Sequence, residues 1–113
     1  MTLQAADRQT SDEISKSIVK LAKRSREQKL SRADSEGDTF TVTSLGIHGG
    51  TGFTALIKFP EVAILDISSV YNKVVAFGSD AIVKPVVPLS LSYDFRAVDG
   101  LMGARFMRPI RIS

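Results

Sequence analysis

The hydrophobic period of this chain changes once, at Thr39, and that switch limits the fold more than any other feature. Before it, Ile14, Ile18, Leu21 and Ala22 recur at helical spacing and form one apolar stripe. After it, β-branched residues dominate and alternate with period two, as in Phe40, Val42 and Ser44 against Thr39, Thr41, Thr43 and Leu45. The chain therefore divides into a helical first third and a strand-rich remainder.

The boundaries follow from local chemistry. Thr10 can cap a helix and Glu13, three residues on, completes a capping box. The helix is expected at 11–29, with cations in its last turns, where they suit the helix dipole. The polar stretch 31–38 reads as a loop ending at Gly37-Asp38. Segment 46–52, Gly-Ile-His-Gly-Gly-Thr-Gly, reads as a tight loop. Strands are expected at 53–59, 62–70, 74–77, 82–86 and 87–93. Gly78-Ser79-Asp80 supplies a hairpin turn between the third and fourth of these. Asp99-Gly100 opens a short helix, 101–107, stopped by Pro109.

A length of 113 residues fits one small domain, with room for a modest core. The chain has no cysteine, which excludes disulfides, thiolate metal sites and cysteine catalysis. With His48 as the only histidine, no metal site is expected. The longest apolar runs fall well short of a membrane span, and the first ten residues lack the apolar region of a signal peptide. The expected setting is a reducing, soluble compartment: cytoplasmic, or the mitochondrial matrix in a eukaryote.

Three motifs invite function and are set aside. The first helix carries a basic face of Lys16, Lys20, Lys23, Arg24, Arg26 and Lys29, but no aromatic residues interleave as stacking platforms, so nucleic acid is not the expected partner. Gly50-Thr51-Gly52-Phe53-Thr54-Ala55 spells a dinucleotide fingerprint, but Pro60 leaves no room for the helix that must follow. His48 has no sequence-local carboxylate to orient it, so it reads as a loop residue rather than a general base.

The most informative stretch is Ser90-Leu91-Ser92-Tyr93-Asp94-Phe95-Arg96-Ala97-Val98-Asp99-Gly100. On its own it is a strand, a polar corner in which Arg96 and Asp94 can pair, and a helix start at Asp99. It also resembles the signature of the dihydrolipoamide acyltransferases, the acyltransferase components of 2-oxo acid dehydrogenase complexes. Ala6-Asp7-Arg8, the capped helix, residues 39–46, Gly49 to Phe53, Pro60 to Leu65 and Ala104-Arg105-Phe106 follow the family's order and spacing.

The resemblance implies an α/β fold of the chloramphenicol acetyltransferase type, a mixed β-sheet with packed helices, here truncated. It implies trimers with an active-site channel between subunits, entered by coenzyme A from one side and a lipoyl-lysine arm from the other. Thr43 matches the position whose hydroxyl binds the tetrahedral oxyanion, and Asp99 matches the acidic residue of the signature. Phe95 stands where the family has its general-base histidine. A phenyl ring accepts no proton, and losing a positioned base costs about 10²–10⁴ in rate. The resemblance also implies that residues 1–113 form a single acyltransferase-core-like domain without the family's N-terminal part, its lipoyl domain or its subunit-binding domain. The expected function is thus an acyltransferase-like subunit, catalytically impaired, that forms homo-oligomers or joins a full-length acyltransferase core. An active acyltransferase is the runner-up.

Overall fold

A computed structural model describes residues 1–44 and 54–111. It divides into two compact units, Met1–Thr39 and Phe40–Ser113.

The first unit is built around helix α1, Ser11–Arg26. The capping box is present: Glu13 N–H donates to Thr10 Oγ1 at 3.2 Å and Thr10 N–H donates to Glu13 Oε2 at 2.8 Å. The helix stops three residues short of the expected end. Gln28 adopts φ +56°, Lys29 N–H donates to the Arg24 carbonyl, and Gln28 N–H donates to the Ser25 carbonyl. This pair of bonds is a Schellman closure, which satisfies the last carbonyls and turns the chain away. It uses Gln where Gly is the usual signal, so the sequence did not announce it. The expected loop 31–38 contains a single 3₁₀ turn, Arg32–Ser35, and is held firmly. Asp34 accepts from Ser31, pairs with Arg24 at 2.6 Å, and offers its carbonyl to Thr2 N–H. The Ser31 backbone donor, with Arg24 beside it, lowers the Asp34 carboxyl below its usual range.

The second unit carries all the strands among the described residues. These are β1 (Thr41–Ser44), β2 (Ala63–Ile67), β3 (Tyr71–Phe77), β4 (Asp80–Val86) and β5 (Leu89–Tyr93), followed by helix α2 (Gly100–Met107). One sheet has the order β1-β2-β5 and is mixed: β1 runs parallel to β2, and β5 antiparallel to it. The other is the β3-β4 hairpin. Phe77 faces Asp80 across a two-residue turn, with Gly78 at φ +63° in its first position. That is the position where a type II′ turn demands positive φ. Pro85 fits β4 because the hairpin strand has an open edge.

Two sequence expectations change here. Residues 54–58 form no strand. Instead Glu61 N–H closes a turn onto the Lys58 carbonyl, and Leu56 and Phe59 project outward. The expected strand 62–70 ends at Ile67, where Ser68 N–H bonds the Pro88 carbonyl and the chain leaves for the hairpin. The mixed sheet stands as expected, with α2 packed on it.

Candidate functional site

Directly paired residues on neighbouring strands project to the same side, so the register sorts the mixed sheet into two faces. One face is apolar. Val42, Leu65 and Leu91 share a row, and Ala63 pairs with Tyr93. Helix α2 lies on this face. Gly103 comes so close that an added Cβ would stand 2.7 Å from Tyr93 Cε1, and the Phe40 and Phe106 rings meet at 5.7 Å. Ile64 and Leu65, both on β2, are the buried hydrophobic residues of the described chain.

The other face is polar. It carries Thr41 and Thr43 from β1, Asp66 from β2, and Ser90 and Ser92 from β5, with Ile64 among them. Thr43, Asp66 and Ser90 form a single row. Asp66 is 1% exposed. Ser68 Oγ donates to its Oδ2 at 3.2 Å, while Oδ1 has no hydrogen-bond partner among the described residues. Beside this row, Thr41 Oγ1 donates to the buried carboxylate of Glu61 at 2.8 Å.

The signature residues gather at the end of β5. Asp94 N–H donates to the Val62 carbonyl, and Ala97 and Val98 N–H donate to the Asp94 carbonyl, so the corner is stapled to the sheet. Arg96 grips the Asp94 carboxylate through Nε at 3.0 and 3.1 Å and through its terminal nitrogen at 2.7 Å. The Arg96 side-chain and backbone donors hold the Asp94 carboxyl down, from 3.8 to about 2. The same contacts raise the Arg96 guanidinium. Phe95 points outward at 79% exposure, its ring meeting Tyr93 edge-on at 5.1 Å. Asp99 caps α2, accepting from Met102 N–H at 2.8 Å.

The structure thus brings Phe95 and Asp99 to one corner, joined through the Tyr93 ring, which touches both Phe95 and α2. It does not bring Thr43 to them within one chain. Thr43 shares a row with Ser90, and Tyr93 lies three residues further along β5. That is about 10 Å along the strand, with Phe95 beyond it. His48 lies outside the described residues. Asp66 was not among the sequence candidates, although its signal was present: a charge in the middle of an apolar run that reads as a buried strand is costly unless something requires it.

Away from the signature corner, an open groove runs between β4, the start of β5 and the end of α2, lined by Lys84, Val86, Leu89, Met107, Arg108 and Arg111. It contains none of Thr43, Phe95 or Asp99. Among the described residues no cluster of three or more His, Asp or Glu is placed to hold a metal ion, and no helix is long and apolar enough to cross a membrane.

The 2-oxoacid dehydrogenases acyltransferase (catalytic domain) family matches residues 2–112. The dihydrolipoyllysine-residue acetyltransferase component of the pyruvate dehydrogenase complex of Staphylococcus epidermidis is 40% identical over 106 residues, which is 94% of this chain and 24% of that protein. The crystal structure of a probable dihydrolipoamide acetyltransferase from Listeria monocytogenes superposes with a TM-score of 0.92 at 37% identity, over 96% of this chain and 46% of that one. The cubic core of a pyruvate dehydrogenase multienzyme complex superposes with a TM-score of 0.86 at 37% identity, over 90% and 42%. The chain therefore spans about a quarter of the length of the relative and under half of each solved chain.

Proposed function

The chain belongs to the family of 2-oxoacid dehydrogenase acyltransferase catalytic domains, and from that premise we propose that it acts as a non-catalytic acyltransferase-core subunit. In this reading residues 1–113 form one core-type domain that assembles as trimer-based homo-oligomers or joins a full-length acyltransferase core of a 2-oxo acid dehydrogenase complex. The setting is cytoplasmic, or the mitochondrial matrix in a eukaryote.

One observation carries the reading: the corner that bears the family's general base presents Phe95. Acyl transfer between coenzyme A and dihydrolipoamide begins when a base takes the proton of a thiol. The sulfur then attacks the thioester carbonyl carbon, a hydroxyl donates to the resulting oxyanion, and collapse expels the other sulfur as a thiolate, which regains a proton. A thiol with a pKa near 8.5 is only a few per cent ionised at neutral pH, so the first step needs help. The Phe95 ring has no acceptor, and it is engaged with Tyr93. Thr43 supplies the oxyanion hydroxyl position and Asp99 the acidic position. Because the register separates Thr43 from Phe95 along one sheet, they meet in this reading only between subunits. Exposed apolar side chains at Val74 and Val83, paired directly on one face of the hairpin, support association, since apolar surface of this kind generally finds a partner.

The test is turnover with acetyl-coenzyme A and dihydrolipoamide. Negligible transfer is expected, and an ordinary enzymatic rate of about 1–10³ s⁻¹ would overturn the reading. Phe95→His then reports on the remainder of the site. Where that remainder is intact, the rate rises by roughly 10²-fold or more. Where it is not, the rate stays at background.

A further inference from the structure

The row that holds Thr43 contains a group with no part in the reading above. Asp66 is 1% exposed, is paired directly with Thr43 on one side and Ser90 on the other, and has an Oδ1 without a hydrogen-bond partner among the described residues. Neighbouring strands lie about 4.8 Å apart, and paired residues project to the same side. The Asp66 carboxylate and the Thr43 hydroxyl therefore share one small stretch of the polar face.

We propose that Asp66 is a second obstacle to acyl transfer, independent of Phe95: its carboxylate occupies the row in which the Thr43 hydroxyl would meet a developing oxyanion. This rests on the assignment of Thr43 made above. Oxyanion stabilisation works by aiming preorganised donors at the place where negative charge develops. A buried carboxylate there inverts the sign of the local field, and exclusion of water strengthens the repulsion. A second effect acts in the same direction. A threonine hydroxyl has one proton to give, and the open acceptor at Oδ1 competes for it. Restoring a base at position 95 consequently leaves the transition state unsupported.

The experiment compares four forms of the chain with acetyl-coenzyme A and dihydrolipoamide: unmodified, Phe95→His, Asp66→Asn, and the double variant. Asn is nearly isosteric with Asp, is uncharged, and presents an N–H₂ donor. The double variant is expected to exceed Phe95→His by about 10²-fold, the usual scale of one oxyanion donor. The gain should appear in kcat with KM little changed, because the interaction exists only in the transition state. A double variant no faster than Phe95→His, at background or above it, overturns the inference. Asp66→Ser in the same Phe95→His background guards against an Asn variant that fails to fold, and the same outcomes apply to it. If the unmodified protein turns over at an ordinary rate, the functional reading fails but this inference is still decided. Asp66→Asn by itself then speeds the reaction if Asp66 opposes it, and an equal or slower rate overturns the inference.

Discussion

The mixed sheet and the β3-β4 hairpin are built from the same kinds of residue, yet they end in opposite environments. Leu65 on β2 is 8% exposed, while Val74 and Val83, which face each other across the hairpin, are 66% and 64% exposed. The difference lies in what covers them. Strand β2 has a neighbour on each side, and α2 lies against the apolar face of its sheet. Among the described residues the hairpin strands pair only with each other. A two-stranded ribbon is marginal by itself in water. β-branched residues therefore made both elements strands, but only tertiary neighbours decided which strand became core. The hairpin's outward valines are the surface on which association would draw.

Substitutions can break this comparison or sharpen it. Leu65→Ala should cost about 2–5 kcal/mol in denaturant unfolding, because it opens a cavity under α2. A loss below about 1 kcal/mol would mean that β2 is no better covered than the hairpin. Gly103→Ala tests the same cover from the helix side. Its Cβ would stand 2.7 Å from the Tyr93 ring, so a loss of about 1–3 kcal/mol is expected. An unchanged melting temperature would show that α2 can lift away at no cost.

The hairpin should behave in the opposite way. Val83→Lys is expected to change the stability of a single chain by less than about 0.5 kcal/mol, as for other exposed positions. In light scattering at micromolar concentration it should reduce the associated fraction. If it leaves association intact, the hairpin valines are not the contact.

The smallest effect concerns the signature corner, which is exposed and thus lies outside both environments. The Asp94 carboxyl is lowered from 3.8 to about 2, chiefly by the Arg96 donors. A depressed carboxyl stabilises the fold above its unfolded value and loses that contribution as the pH falls through its folded one. The Asp94–Arg96 contact should therefore be complete at pH 5 and dissolve between about pH 4 and pH 2. A carboxyl resonance titrating near 4 by NMR would contradict this. Arg96→Ala should move the midpoint upward.

Much of this was legible in the sequence. The capping box at Thr10 and Glu13, the hairpin turn at Gly78-Ser79, the Asp94–Arg96 pair and the cap at Asp99 all depend on neighbours within a few residues, and such chemistry is written locally. The early end of α1 was hidden because Gln28 adopts a left-handed conformation that Gln rarely announces. The extended pattern at 53–59 was misleading, since alternation by itself does not supply a neighbouring strand to pair with, and residues 54–58 have none. The signature was visible as a string, together with Phe95 in its middle. Its placement relative to Thr43 was not.

The sequence by itself determined the period switch at Thr39, the helix starts, the hairpin turn and the identities of Thr43, Phe95 and Asp99. Each of these rests on steric and hydrogen-bonding preferences that act over a few residues. Only the tertiary structure decided the rest. It put β1 parallel and β5 antiparallel to β2. It turned Thr43, Asp66 and Ser90 into one row and kept Phe95 about 10 Å or more away along the strands. It buried Asp66 while leaving Val74 and Val83 in water. The physical reason is that register and burial are set by which surfaces come together across long stretches of chain, and a residue's own type does not carry that information.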